Sequence, residues 1–119
     1  LEKIVTLCRE KGVRIIMVTV PVPKYSIVTY AGLEENRQCY ADLAEYYDFL
    51  FVDFNLHKQK DAVFPDTDSF TDVFHMYSEK ADEFTGMLTD TIRRYDAGED
   101  FSEDFYGSYC ELLQLYGCI

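Results

Sequence analysis

The chain has 119 residues and a mass of 13.9 kDa, room for one domain, and its 48% hydrophobic and 16% aromatic content argues against disorder. Acidic residues number 22 against 11 basic ones, a formal net charge of −11, so phosphate backbones and anionic headgroups are repelled and nucleic-acid binding is disfavoured. The longest strongly apolar stretch, Ile15 to Val22, falls far short of the ~20 residues of a membrane helix.

In chain order, Leu1, Ile4, Val5, Leu7 and Cys8 recur at helical spacing, and Gly12 stands where a C-cap glycine ends a helix. The chain enters this pattern at Leu1 without an initiator Met or a signal-peptide pattern, so it is expected to be a piece of a longer protein, with further strands and any targeting segment upstream. Val13 to Val20 (VRIIMVTV) is nearly continuous and β-branched, as a strand buried on both faces of a parallel sheet would be. Pro21 and Pro23 stop it, and a loop runs through Tyr30 and Gly32. A second helix is expected from Leu33 to Tyr47, its apolar side including Cys39, Tyr40, Leu43 and Tyr47. Phe49 to Phe54 (FLFVDF) reads as a second buried strand.

Asn55 to Asp72 reads as a long loop with Pro65 and the acids Asp66, Asp68 and Asp72. A third helix is expected from about Met76, with Ala81, Phe84, Leu88 and Ile92 on one stripe, Arg93 and Arg94 in its last turn, and Gly98 after it. Residues 1–95 thus form an α/β unit, and 96–119 an acidic linker with an amphipathic helix. That helix is expected from Glu103 to Tyr116, burying Phe105, Tyr109, Leu112 and Tyr116 against the body or against a second copy of the chain. The four cysteines lack C-x-x-C spacing and read as buried free thiols.

Helices alternating with apolar strands imply a parallel sheet with helices on its faces, and ligands of such sheets bind beyond the carboxyl ends of the strands. The second segment leaving such an end runs into Asp72-Val73-Phe74-His75. An acid three residues before a histidine can accept a proton from Nδ1 and leave Nε2 free as a base. The same acid can equally cap a helix, with His75 a first-turn residue. Asp66, Asp68 and Asp72 sit at calcium-loop positions, but Thr71 replaces the loop glycine and Tyr77 the final glutamate, so an EF-hand is rejected. No spacing supports a metal at His57 and His75, and Asp53 at a strand end reads as a cap or a substrate contact.

Phe70-Thr71-Asp72-Val73-Phe74-His75-Met76, continuing through Ala81, Phe84 and Thr85, resembles the closing block of the SGNH (GDSL-type) hydrolases, and the two preceding strands resemble that fold's last two. The resemblance covers residues 1–95 and implies a three-layer flavodoxin-like α/β fold of which only the C-terminal strands and helices are present. It implies that Asp72 and His75 are the acid and base of a Ser-His-Asp triad, with no metal or organic cofactor. The substrates would be acyl, including acetyl, esters of carbohydrate or of a cell-surface polymer, hydrolysed or transferred. Met76, Tyr77 and Lys80 depart from the leucine, asparagine and glycine common in relatives, and the chain contains no G-D-S motif. Ser26, Ser69 and Ser78 do not match the nucleophile's context, so the serine and the oxyanion-hole residues are expected upstream. The rival expectation is a catalytically inactive SGNH-like domain used for binding or assembly.

Overall fold

A computed structural model describes all 119 residues. Helix α1 spans Glu2–Glu10 and ends as its glycine predicts: Gly12 takes φ +66° and Val13 N–H donates back to the Cys8 carbonyl at 2.8 Å. Strand β1, Ile16–Thr19, is followed by the short helix α2, Lys24–Thr29, in the expected loop. Pro23 opens α2, and its free amides are capped from 42 and 41 residues away: Asp66 accepts from Lys24 N at 2.7 Å and Tyr25 N at 3.0 Å. Helix α3 occupies Leu33–Tyr47, the span its periodicity predicts, and leads into β2, Leu50–Asp53. The two strands pair in parallel, Ile16 opposite Leu50 and Thr19 opposite Asp53. No other strand joins the sheet.

The sheet's two faces are covered unequally. Val52 and, just beyond the strand, Phe54 pack with Phe64, Phe70 and Phe84, the last from helix α6 (Ser78–Asp96). On the opposite face Phe51 meets Tyr40 of α3 edge-on, ring centroids 5.9 Å apart. A second cluster lies past the strands' carboxyl ends, where Ile27 and Leu56 receive Tyr109 and Leu112 of the last helix, α7 (Tyr109–Leu115).

Several expectations are corrected. Strand β1 is shorter than Val13–Val20 and is not buried on both faces: its four residues are half-buried, and Val13 and Val20 are 56% and 47% exposed. The sheet has only two strands, so β1 has no neighbour on its outer side. The supposed loop from Asn55 to Asp72 holds a 3-10 turn at Phe54–Leu56 and two single-turn helices, α4 (Lys60–Val63) and α5 (Asp66–Ser69). Helix α6 starts at Ser78, because Met76 is engaged in an antiparallel bridge with Phe70. Cys39 of α3 and Ala81 of α6 face solvent, Tyr40 keeps its place on the sheet side of α3 against Phe51, and the thiols are free but not buried, three of the four being exposed.

The tail departs most from expectation. No helix runs from Glu103 to Tyr116; a 3-10 turn at Ser102–Asp104 gives way to extended chain, and α7 begins only at Tyr109. The reason is a capping arrangement, Ser108 accepting from Glu111 N at 3.1 Å while the Glu111 carboxylate accepts from Gly107 N at 2.7 Å. Tyr109 and Leu112 are buried within the chain itself, whereas Phe105 and Tyr116 are only half-buried.

Candidate active site

Asp72 and His75 lie on a tight excursion between α5 and α6. The excursion is closed at its base by Thr71 N–H donating to the His75 carbonyl at 2.8 Å and Tyr77 N–H to the Ser69 carbonyl at 3.0 Å. Inside it, Asp72 Oδ1 accepts from Phe74 N at 2.7 Å and from His75 N at 2.9 Å. His75 Nδ1 stands 2.9 Å from both carboxylate oxygens. The Phe74 amide first, then the imidazole, then the His75 amide hold the Asp72 carboxyl below its ordinary range. An ionised carboxylate has no proton to give, so Nδ1 is the donor, and in the neutral ring this leaves the free lone pair on Nε2.

The cap and the acid–histidine pair are therefore one structure: the carboxylate that ties down the turn also orients the ring. The turn it caps is its own loop, not the first turn of α6, which begins three residues after His75. The His75 side chain is 74% exposed and that of Asp72 52%, so the pair adds little to stability and the ring is open to a reacting group.

The loop is fastened to the carboxyl edge of the sheet. Ser26 of α2, itself buried, donates through Oγ to the Val73 carbonyl at 2.6 Å, and the Phe74 ring stacks on Tyr30, centroids 5.5 Å apart. Phe74 forms one wall of a cleft of about 230 Å³. Thr19 and Asp53, partners in the last paired register of the sheet, both line that cleft. This is the position where open parallel sheets hold ligands. His75 does not line the cleft; its neighbour Phe74 does. A larger hollow of about 370 Å³ lies between β2 and the segment Glu99–Gly107, and no residue of the Asp72–Met76 loop reaches it.

The remaining candidates have structural roles. Asp53 is buried, caps the 3-10 turn by accepting from Asn55 N at 3.0 Å, and receives the Tyr109 hydroxyl at 2.8 Å. Burial pushes its carboxyl upward, and burial beside that carboxylate pushes the Tyr109 phenol upward too. His57 lies between Phe54 and Phe105, its Nδ1 accepting from Gln59 N at 3.1 Å, and burial lowers its affinity for a proton. No group of three His, Cys, Asp or Glu side chains converges on a point that would hold a metal ion. Ser69 is wholly buried and Ser26 nearly so, while Ser78 is exposed at the start of α6.

Arg37 and Lys60 went unnoticed in the sequence. Arg37 reaches the cleft while its Nε donates to Glu34 at 3.0 Å. Lys60 is only 1% exposed, its ammonium donating to the Val22 carbonyl at 3.0 Å beside the Asp61 carboxylate at 2.8 Å. The burial of Lys60 carries no local signal, because its Val22 partner is 38 residues away, whereas the Arg37–Glu34 pair is local and only its place at the cleft depends on the fold. Comparison with family models, with curated proteins and with solved structures returns no match to this chain.

Proposed function

We propose that Asp72 and His75 are the acid and base of an SGNH-like serine esterase or acyltransferase, in a three-layer flavodoxin-like fold whose nucleophile and oxyanion hole come from outside these residues. The observation that carries this reading is the 2.9 Å approach of His75 Nδ1 to the Asp72 carboxylate, with the ring exposed and one residue past Phe74, which lines a cleft beyond two parallel strands. Helices on both faces of the sheet agree with it.

In the proposed reaction His75 Nε2 takes the proton of the serine hydroxyl as its oxygen attacks the acyl carbon. The negative charge of Asp72 steadies the imidazolium that results. The proton then passes to the leaving alkoxide, and water or a second alcohol, deprotonated by the same base, releases the acyl group. The substrates are acyl esters, acetyl esters of carbohydrate or of a cell-surface polymer among them.

The test uses 4-nitrophenyl acetate and a fluorophosphonate label. The 119-residue chain alone should neither turn over the ester nor take the label. Turnover by this chain that disappears in His75→Ala would place the nucleophile within it, with Ser26 and Ser78 the first to examine. In a longer form carrying the upstream serine, His75→Ala should abolish turnover. Full turnover in that folded variant overturns the esterase reading in favour of a catalytically inactive binding module.

A further inference from the structure

One edge of β2 pairs with β1. Beyond that ladder and the 3-10 turn that follows the strand, no backbone hydrogen bond reaches β2. Alternate residues of a parallel strand turn N–H and C=O to opposite sides, so part of β2 aims its peptide groups away from β1. Backbone groups beside a core ordinarily find a partner, and Val52 is only 5% exposed. The hollow of about 370 Å³ lies along this outer edge. Phe51 and Val52 point to opposite faces of the sheet, one to Tyr40 and the other into the cluster with Phe64 and Phe84. Both nonetheless line the hollow, and no residue of β1 does. Its far wall is the segment Glu99–Gly107, which brings the half-buried rings of Phe101, Phe105 and Tyr106. That wall is fastened just past β2, where Lys58 N–H donates to the Asp104 carbonyl and Tyr106 N–H to the Leu56 carbonyl, both at 2.9 Å.

We propose that this hollow takes an extended segment of another protein, alternating basic and apolar residues, which adds as a strand along the outer edge of β2. Its main chain supplies the N–H and C=O partners that the edge lacks, and its apolar side chains meet the rings of the far wall. The volume falls within the roughly 300–1,000 Å³ of ordinary binding pockets. It admits a single chain, because the Glu99–Gly107 wall stands where the body of a folded partner would have to pass. Charge selects the partner. No Lys or Arg follows Arg94, and the wall and its approach carry Asp96, Glu99, Asp100, Glu103 and Asp104. Arg14 and Arg94 answer three of these, whereas Asp100 and Glu103 are exposed and form no ion pair. Asp100 lines the hollow, and the one cation lining it, Arg37, is already paired with Glu34. Charge also separates the two open edges of the sheet. The chain entering β1 carries Arg9, Lys11 and Arg14, which repel a basic segment. The proposal uses neither Asp72 nor His75 and stands apart from the esterase reading.

The experiment titrates the 119-residue chain with a short capped peptide of alternating lysine and valine, followed by amide chemical shifts. Saturable shifts should be largest across Phe51–Asp53 and Phe101–Tyr106. The same peptide with glutamate in place of lysine should leave the spectrum unchanged. Two further forms of the lysine peptide are N-methylated at alternate residues, one along each edge of its strand. The form that loses the N–H groups facing β2 should bind about tenfold more weakly or worse, and the other should bind as the unmodified peptide does. Asp100→Asn should weaken binding by about two- to fivefold, the worth of an exposed charge pair. This variant keeps an oxygen for the Ser102 amide, which Asp100 Oδ1 accepts at 2.9 Å, so the fold is not at stake. Absence of saturable shifts, equal binding of the glutamate peptide, or shifts centred on Ile16–Thr19 would overturn the proposal. So would indifference to N-methylation on both edges, or unchanged affinity in Asp100→Asn. Shifts of the same residues on concentrating the chain alone would make a second copy the occupant and overturn it as well.

Discussion

Asp72 Oδ1 accepts from two backbone amides and lies equally close to the imidazole, so substitutions there separate structure from chemistry. Asparagine keeps a carbonyl oxygen for the Phe74 and His75 amides but turns an N–H group toward Nδ1, which then does better as an acceptor. Asp72→Asn should therefore keep the turn and shift the ring toward the Nε2-protonated tautomer. Imidazole ¹⁵N shifts read that directly, and an unchanged tautomer would deny the carboxylate its orienting role. In an active longer form the same variant should lose about 10⁴-fold in turnover. Alanine removes both functions, so Asp72→Ala should raise amide exchange at Phe74 and His75. Acid should imitate alanine. Because the folded carboxyl lies below its ordinary 3.8, its contribution is complete above that value and is lost as pH falls below it, toward the lowered one. Shifts of Phe74 N–H followed downward from pH 5 should change only in that window.

The tail shows how an element of marginal propensity acquires a fixed place. A helix of seven residues is not stable alone in water, and α7 holds because polar side chains tie it at both ends. Near its start Glu34 accepts from Tyr109 N at 2.8 Å and Asp53 from the Tyr109 hydroxyl at 2.8 Å. Past its end the Tyr116 hydroxyl donates to Asp61, and Lys24 Nζ sits 4.3 Å above the Tyr116 ring. Tyr109→Phe leaves the ring packing intact but strips a donor from a buried carboxylate. It should cost about 1–3 kcal/mol in urea unfolding. Cleavage between residues 96 and 108 by a non-specific protease should accelerate at the same time. A loss under 0.5 kcal/mol would mean that apolar packing of Tyr109 and Leu112 carries the attachment.

For the whole molecule, the decisive features are an open sheet edge and a large uncompensated charge. Leu1, and Ile4 and Leu7 of α1, are 48%, 60% and 54% exposed, and Val13 and Val20, before and after β1 in the chain, are exposed too. A chain with this much apolar surface and only two strands has a modest core, so mutual repulsion of its acids weighs heavily against it. Salt screens that repulsion over a Debye length of about 10 Å at 0.1 M and 3 Å at 1 M. The urea midpoint should therefore rise between 20 mM and 0.5 M sodium chloride. A fall would show that ion pairs such as Arg94 with Glu99 and Asp104 outweigh the repulsion.

Periodicity and capping residues were enough to determine α3 to the residue, the end of α1 at its glycine, the two parallel strands and the spacing that brings Asp72 to His75. These are local facts: a helix or strand declares itself through neighbours within one or two turns, and an acid three residues from a histidine can reach it on any tight loop. The Ser108–Glu111 cap was just as local and marks the true start of α7, but it was masked by an apolar stripe that runs through Gly107 at helical spacing. Tertiary structure alone decided the rest. Asp66 became the cap of a helix some forty residues earlier, Lys60 was buried under the Val22 carbonyl, and Phe74 was laid on Tyr30 as the wall of a cleft. Each of these joins groups far apart in the chain, and their pairing depends on how the elements stack, which no local window of residues encodes.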